Sequence, residues 1–147
     1  MYLKFSNISE VDLLKFFSVY EKPDNTSQWV FENELYEDLC LFFQCPGVFL
    51  AAWEVDGEIT AIVRIEPYHD GHLITCLETN KYERRKGYAS LLLSSVMDDC
   101  PGVYYAHIDK HNKPSLRLHE KLGFRVFLNY AVYVDGSVYS SSLTMKR

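Results

Sequence analysis

The stretch "NKYERRKGYASLLL" (residues 80–93) places three consecutive basic residues and a glycine directly before an apolar run. Ala89, Leu92, Leu93 and Val96 follow at the i, i+3, i+4 and i+7 spacing of an amphipathic helix. The first turn of a helix has free N–H groups and the positive end of the helix dipole, so it binds anions readily. Two interpretations remain open at this point: a solvated basic loop, or a docking site for an anionic ligand.

The segments around this helix predict one mixed α/β sheet. A strand, "HLITCLET" (72–79), comes before the helix, and another, "VYYAHID" (103–109), follows it, which is the pattern of two parallel strands joined by a crossover helix. Asp56-Gly57 and Asp135-Gly136 each lie between two apolar segments and predict antiparallel hairpins. We therefore expect a central sheet of about seven strands with about four helices on its two faces.

Three further helices are predicted from caps and apolar spacing. Ser9 and Asp12 form a capping box at the start of the first, which Pro23 ends. The apolar face of the second comprises Tyr36, Leu39, Cys40 and Phe43. The last runs from Pro114 to Leu122, because proline suits a first helical turn and Gly123 suits a C-terminal cap.

Length and composition limit the class of protein. The 147 residues are enough for one domain, and we expect a single domain over residues 1–147. The net charge of −5 argues against a general nucleic-acid surface. Charged residues interrupt every long apolar run, and the N-terminus lacks an apolar signal core, so we expect a cytoplasmic protein with no membrane partner. The cysteine spacings match no zinc pattern, so no metal is expected.

Two motifs in register resemble the GNAT superfamily of N-acetyltransferases. Arg84-x-x-Gly87-x-Ala89 fits the first family signature, which is Arg or Gln, two residues, Gly, one residue, and Gly or Ala. The stretch "NKPSLRLHEKLGF" (112–124) is similar to the second, an Asn followed seven residues later by Tyr in "YEKLGF". The predicted order of elements also resembles the family fold over nearly the whole chain. The resemblance implies a sheet whose central parallel strands splay apart.

The resemblance implies an acetyl-CoA site at the turn that opened this section. In the family, backbone N–H groups of this turn hold the pyrophosphate of coenzyme A. The residues implied here are Arg84, Arg85, Lys86, Gly87, Tyr88 and Ala89. The pantetheine arm would lie along the strand that contains Leu77 and Thr79, whose backbone would also contact the acetyl oxygen. Asn112 and Ser115 are the implied cofactor contacts on the following helix.

Three residues are candidates for moving protons. His119 stands where the family usually has the tyrosine that protonates the leaving thiolate, and it is equally a candidate for helix packing. His107 lies on a strand, at a position where some relatives carry a glutamate, and is a candidate to accept the proton of the amine. Glu78, beside the cofactor strand, is a second candidate base. A structural role within the sheet remains open for His107 and for Glu78. It also remains open that a chain of water molecules takes the proton and that no residue acts as the base.

The resemblance implies transfer of acetyl directly to a primary amine of a small molecule or peptide. The acidic and aromatic stretch "YEKPDNTSQWVFENELYED" (20–38) suits a cationic acceptor. Relatives are often dimers, so a homodimer is one oligomeric state to expect. The alternative is a non-catalytic module that keeps the fold and binds acyl-CoA as a sensor, which the missing tyrosine at position 119 favours.

Overall fold

A computed structural model describes the whole chain, residues 1–147. Nine strands form in chain order: β1 (Tyr2–Phe5), β2 (Phe49–Val55), β3 (Glu58–Tyr68), β4 (Gly71–Thr79), β5 (Tyr104–Asp109), β6 (Arg125–Leu128), β7 (Ala131–Val132), β8 (Val138–Tyr139) and β9 (Ser142–Lys146). Four helices accompany them: α1 (Leu13–Phe16), α2 (Gln28–Gln44), α3 (Tyr88–Asp99) and α4 (Lys113–Lys121). None of the helices is long and apolar enough to cross a membrane.

Seven strands form the central sheet in the order β1-β2-β3-β4-β5-β9-β6, and β7 and β8 form a separate ribbon. Only β4 and β5 are parallel neighbours, and all other pairs are antiparallel. Helices cover both faces. On one face, Leu92, Leu93 and Val96 of α3 are fully buried against β3 and β5. On the other, Phe16 and Phe42 anchor α1 and α2 on β2 and β3, so the predicted mixed sheet is confirmed.

The predicted start of the first helix is wrong. Ser9 lies in a short 3-10 turn (Ile8–Glu10), and α1 is a single turn whose N-cap, Asp12, makes no side-chain hydrogen bond. The Ser9 hydroxyl bonds the Asn7 side chain, and Glu10 accepts hydrogen bonds from the Asn7 amide and from a backbone N–H. These local side-chain bonds satisfy the segment without the predicted capping box.

Two other boundaries differ for identifiable reasons. Helix α3 begins at Tyr88 and not near Arg85, the start that the basic turn predicts, because Arg85 and Gly87 have φ values of 65° and 83°, in the left-handed region. The second hairpin turns at Asp135-Gly136 as predicted, but its ribbon is only two residues a strand. The apolar segment before this turn was predicted as one strand, but it is interrupted after Leu128. Its first part, β6, pairs with β9 at the edge of the central sheet. The buried positions of α2 are Leu35, Leu39 and Phe42, so its face is rotated relative to the predicted one.

Candidate active site

The parallel strands β4 and β5 separate partway along their length. They pair only at His72–Ile74 against Tyr104–Ala106, although β4 continues to Thr79 and β5 to Asp109. Within this separated part β4 is bulged: Cys76 and Leu77 together oppose the single residue Val63 of β3. Cys76 has a φ of 50°, and a bulge of this kind bends a strand away from its neighbour. The sheet is therefore open at its centre.

A cleft of about 500 Å³ occupies this opening. Its walls are the bulged part of β4, the end of β5, the first turns of α4, and side chains of α2, β3 and the β7–β8 ribbon. Of the sequence-predicted site residues, the cleft brings together Leu77, His107, Asn112, Ser115 and His119. Thr79 and Glu78 are not among its lining residues.

The turn between β4 and α3 presents an uninterrupted run of backbone donors. The N–H groups of residues 84–90 donate to no acceptor in the protein, whereas the next, on Leu91, donates to the Gly87 carbonyl at 3.0 Å. Arg85 and Gly87 both have left-handed φ values, with Lys86 between them outside that region, and a backbone of this kind can curve successive N–H groups into a concave anion-binding nest. The N–H groups of the residues predicted for the anion site, Arg84, Arg85, Lys86, Gly87, Tyr88 and Ala89, have no partner in the protein, and their role as cofactor contacts stays a prediction.

Gly87 fits this turn for two reasons. Its φ of 83° is a conformation that residues with side chains rarely adopt. A Cβ atom at this position would meet no protein atom within 4 Å, so the space beside the nest is open. The residue therefore leaves the backbone accessible to a ligand and gives it the required curvature.

The basic side chains of the turn are partly neutralised by the protein itself. Arg84 Nη2 lies 3.0 Å from Glu21 Oε1, and Lys86 Nζ lies 2.8 Å from Glu83 Oε2. Both pairs are largely exposed, so each contributes little to stability. Arg85 has no carboxylate partner in the structure. Attraction of an anion here consequently depends more on the backbone N–H groups and on the charge of Arg85 than on the charges of Arg84 and Lys86.

His119 lies in the last turn of α4, lines the cleft and is 2% exposed. Its Nδ1 is 2.7 Å from the Ser115 carbonyl oxygen, so Nδ1 carries the proton and donates it to that carbonyl. Its Nε2 is buried and has no partner. Burial lowers the pKa of this imidazole, opposed in part by the Ser115 hydrogen bond. His119 is therefore neutral near pH 7, with the Nε2 lone pair free to accept a proton.

Asn112 and Ser115 lie at the opposite, N-terminal end of the same helix. The Asn112 side-chain oxygen accepts a hydrogen bond of 3.2 Å from the Ser115 N–H, which caps α4. This bond uses the Asn112 oxygen, so its amide NH₂ group remains as a donor in the cleft wall. Ser115 links this cap to the His119 ring four residues later.

His107 lies on β5, and its side chain extends from the face of the sheet opposite to the one that α4 covers. Its Nδ1 is buried without a partner, and its Nε2 lies 3.4 Å from the Tyr68 hydroxyl. Burial lowers the pKa of the imidazole, so this histidine is also neutral near pH 7. The cleft thus has one neutral histidine on each side of the sheet.

Glu78 lies outside the cleft that holds the two histidines. It lines a neighbouring pocket of about 470 Å³ together with Glu21, Asp38 and Arg84. Partial burial raises the pKa of the Glu78 carboxyl, and the nearby Arg84 acts in the opposite direction. The acidic stretch 20–38 shapes this neighbouring pocket, so its charge lies beside the cleft.

Sequence reasoning missed the charged residues of β3 that line the cleft. Arg64 is 8% exposed, and its Nη2 lies 2.5 Å from the Asp38 carboxylate of α2. Glu66 follows on the same strand face, makes no hydrogen bond or ion pair in the structure, and has its pKa raised by burial. The available signal was that Arg64 and Glu66 follow the apolar run "AIV" (61–63) inside the predicted strand 58–68, since buried charges need a partner or a function.

Comparisons with known proteins agree with this architecture. A model of the Acetyltransferase (GNAT) family matches residues 12–124. The ribosomal-protein-S18-alanine N-acetyltransferase of Escherichia coli superposes with a TM-score of 0.67 at 16% identity, over 99% of this chain and 92% of that one. No curated protein matches the sequence.

Two further solved structures share the fold at low identity. PaiA N-acetyltransferase of Thermoplasma acidophilum, solved with coenzyme A, has a TM-score of 0.67 at 12% identity, over 100% of this chain and 98% of that one. Aminoglycoside 6'-acetyltransferase type Ii has a TM-score of 0.68 at 12% identity, over 100% and 96% of the two chains. The family match covers most of the sequence and includes both motifs, so the chain belongs to the GNAT family of acetyltransferases.

Proposed function

We propose that the protein transfers an acetyl group from acetyl-CoA directly to a primary amine of a small molecule or peptide. The observation that carries the proposal is the opening between β4 and β5, bordered by a strand that leads straight into seven unpaired N–H groups. A diphosphate on those N–H groups would direct the rest of the coenzyme along β4 towards the bulge. The extra residue of a bulge lies outside the ladder, so the Leu77 region can offer an N–H to the acetyl oxygen.

The amine must lose a proton before it can attack the thioester. His107 is suited to accept this proton, because it is neutral and its Nδ1 has no protein partner. The proton then passes to solvent. Glu66, a half-buried carboxylate without an ion pair, is suited to attract the cationic form of the acceptor into the same side of the cleft.

A second proton leaves the nitrogen after attack. The tetrahedral intermediate holds a positively charged nitrogen and a thioester sulfur that will depart as thiolate. His119 starts neutral, so it can protonate the thiolate only after it has taken a proton at Nε2 from this nitrogen. It would thus act as a relay, and the sum is an amide, coenzyme A and one proton released. Positioning both reactants in one cleft would supply much of the remaining acceleration.

The test is release of coenzyme A thiol from acetyl-CoA across a panel of amines. The panel includes peptides with a free N-terminal alanine, aminoglycosides and small diamines, which covers the acceptors named for the structural relatives and simpler ones. His107→Gln should lower kcat by about 100-fold, a typical contribution of a general base, with the KM for acetyl-CoA unchanged. His111→Gln is the matched control, since this exposed histidine makes no side-chain contact with the cleft.

The non-catalytic alternative predicts a different result. The histidine at position 119 in place of tyrosine favours it, because a neutral, buried imidazole is a poorer acid than the family's usual donor. Coenzyme A would then raise the melting temperature, yet no amine would release thiol. Absence of any thermal shift with coenzyme A would contradict both functions.

A further inference from the structure

His107 is held by aromatic neighbours that come from two distant parts of the chain. Tyr68, at the end of β3, packs edge-to-face on the imidazole with ring centroids 5.5 Å apart. Tyr133, beside the β7–β8 ribbon, packs on it at 4.6 Å. These contacts fix the plane of the ring. Which of its two nitrogens carries the proton is then decided by the hydrogen bonds of the ring.

The hydrogen bonds of Tyr68 settle which nitrogen carries the proton. The Tyr68 side chain is almost fully buried, and its hydroxyl hydrogen-bonds to the Val132 carbonyl oxygen. A carbonyl oxygen only accepts, so the hydroxyl must donate its single proton there. Towards His107 Nε2, 3.4 Å away, the phenol oxygen can then only accept. The proton of the neutral imidazole consequently lies on Nε2, and Nδ1 keeps its lone pair.

We propose that Tyr68 is a positioning residue that holds His107 in the Nε2–H form and so keeps Nδ1 as its basic nitrogen. The proposal rests on the proposed function only for the role of that base in the reaction. It assigns to the β7–β8 ribbon a part in the chemistry, since Val132 orients the Tyr68 hydroxyl. Loss of the hydroxyl would let the imidazole proton move between the two nitrogens, and the form with Nδ1 protonated cannot accept the proton of the amine at Nδ1.

The chain offers a matched control in Tyr105. This tyrosine is equally buried, and its hydroxyl donates to the Asp70 carboxylate at 2.6 Å. Its ring lies 5.1 Å from that of Tyr68, yet no hydrogen bond or ring contact joins it to His107. Tyr105→Phe therefore removes a buried hydroxyl from the same aromatic cluster without touching the imidazole.

The first measurement uses the unmodified protein. Long-range ¹H–¹⁵N correlation spectra at pH 8 distinguish the two neutral forms of each histidine, and the signals that vanish in His107→Gln identify this ring. The expected result is a protonated Nε2 and an unprotonated Nδ1. A proton on Nδ1 would overturn the proposal, whether or not any amine is a substrate, so this outcome is separable from failure of the proposed function.

The second measurement compares the two phenylalanine variants. Tyr68→Phe should turn the His107 signals into those of a mixture and lower kcat roughly tenfold, less than loss of the base itself, with the KM for acetyl-CoA unchanged. Tyr105→Phe should leave both the signals and kcat within about twofold of the unmodified protein. Equal losses of kcat in the two variants, or unchanged His107 signals in Tyr68→Phe, would show that Tyr68 serves packing alone.

Discussion

The two sides of the cleft are built from different kinds of groups. On the side that we propose for the cofactor, seven unpaired N–H groups come from one continuous stretch, residues 84–90. On the side that we propose for the acceptor, Asp38, Arg64, His107 and Tyr133 come from four separate parts of the chain and would act through their side chains. A backbone site tolerates many side chains but needs a particular local conformation. A side-chain site needs particular residues and the whole fold to assemble them.

The two sides therefore place different demands on the sequence. The backbone turn depends on the left-handed conformations of Arg85 and Gly87 and on the helix that follows, so a short motif can encode it. The other side has no comparable motif. Substitutions on the two sides should therefore separate coenzyme binding from acceptor use.

The largest expected effect is loss of coenzyme binding in Gly87→Glu. A glutamate would add a negative charge and bulk beside the nest, and binding of coenzyme A should weaken by about 100-fold or more, roughly 3 kcal/mol. Calorimetric titration with coenzyme A measures this.

Gly57→Glu is the control for Gly87→Glu, because Gly57 also has a left-handed φ, 81°, and open space around its Cβ position. Both variants should lose similar stability from backbone strain, about 1 kcal/mol. Only the change at Gly87 should affect binding. Equal binding in the two variants would contradict the phosphate assignment and with it the comparison of the two sides.

The next effect tests whether the acceptor side depends on a long-range ion pair. Asp38→Ala leaves the nearly buried Arg64 guanidinium without its carboxylate, which should lower the free energy of unfolding by about 1–2 kcal/mol. The loss is limited because the Asp38 side chain is 59% exposed. Arg64→Met should cost less, since a flexible apolar side chain can pack on Phe42, above whose ring the guanidinium lies.

Urea unfolding measures both changes, and Glu37→Ala is the control, an exposed carboxylate on the same helix with no ion pair. Binding of coenzyme A should stay within about twofold of the unmodified protein in all three variants, while turnover of the amine falls in the first two. A parallel loss of coenzyme binding would mean that the two sides are not separable.

The sequence predicted the features that depend on local backbone conformation and missed those that depend on side chains from distant segments. The β–α–β unit, the Asp56-Gly57 hairpin and the anion turn depend on contacts close in sequence, and periodicity and turn chemistry identify them. The charges of Arg64 and Glu66 within an apolar strand were a local signal, but the cleft that they line comes from the separation of β4 and β5, which no local pattern encodes. The protonated nitrogen of His119 was equally inaccessible, since it depends on a hydrogen bond to the Ser115 carbonyl. The turn of the ribbon at Asp135-Gly136 was predicted, because it depends on neighbouring residues. The pairing of β6 with β9 was not, because it depends on contacts between segments far apart in the sequence.

The most gradual expected effect is a dependence of stability on pH, to which both sides contribute. His107 and His119 have lowered pKa values in the folded protein, because burial disfavours the charged imidazole. Below about pH 6.5, the ordinary pKa of histidine, the unfolded chain binds protons at these positions that the folded protein does not. The free energy of unfolding should therefore fall as the pH drops below 6.5, by at most about 1.4 kcal/mol per pH unit for each histidine. The fall should stop once the folded protein is protonated as well.

Urea unfolding between pH 7.5 and 5 measures this slope, and two variants divide it between the sides. His119→Leu removes the more buried imidazole, 2% exposed, so it should reduce the slope by more than His107→Leu does. His111→Leu, at an exposed position, should leave the slope unchanged. A slope that neither buried substitution alters would show that burial does not lower the pKa of either histidine. Each imidazole would then be partly charged near pH 7, and His119 could protonate the thiolate without first taking a proton from the nitrogen.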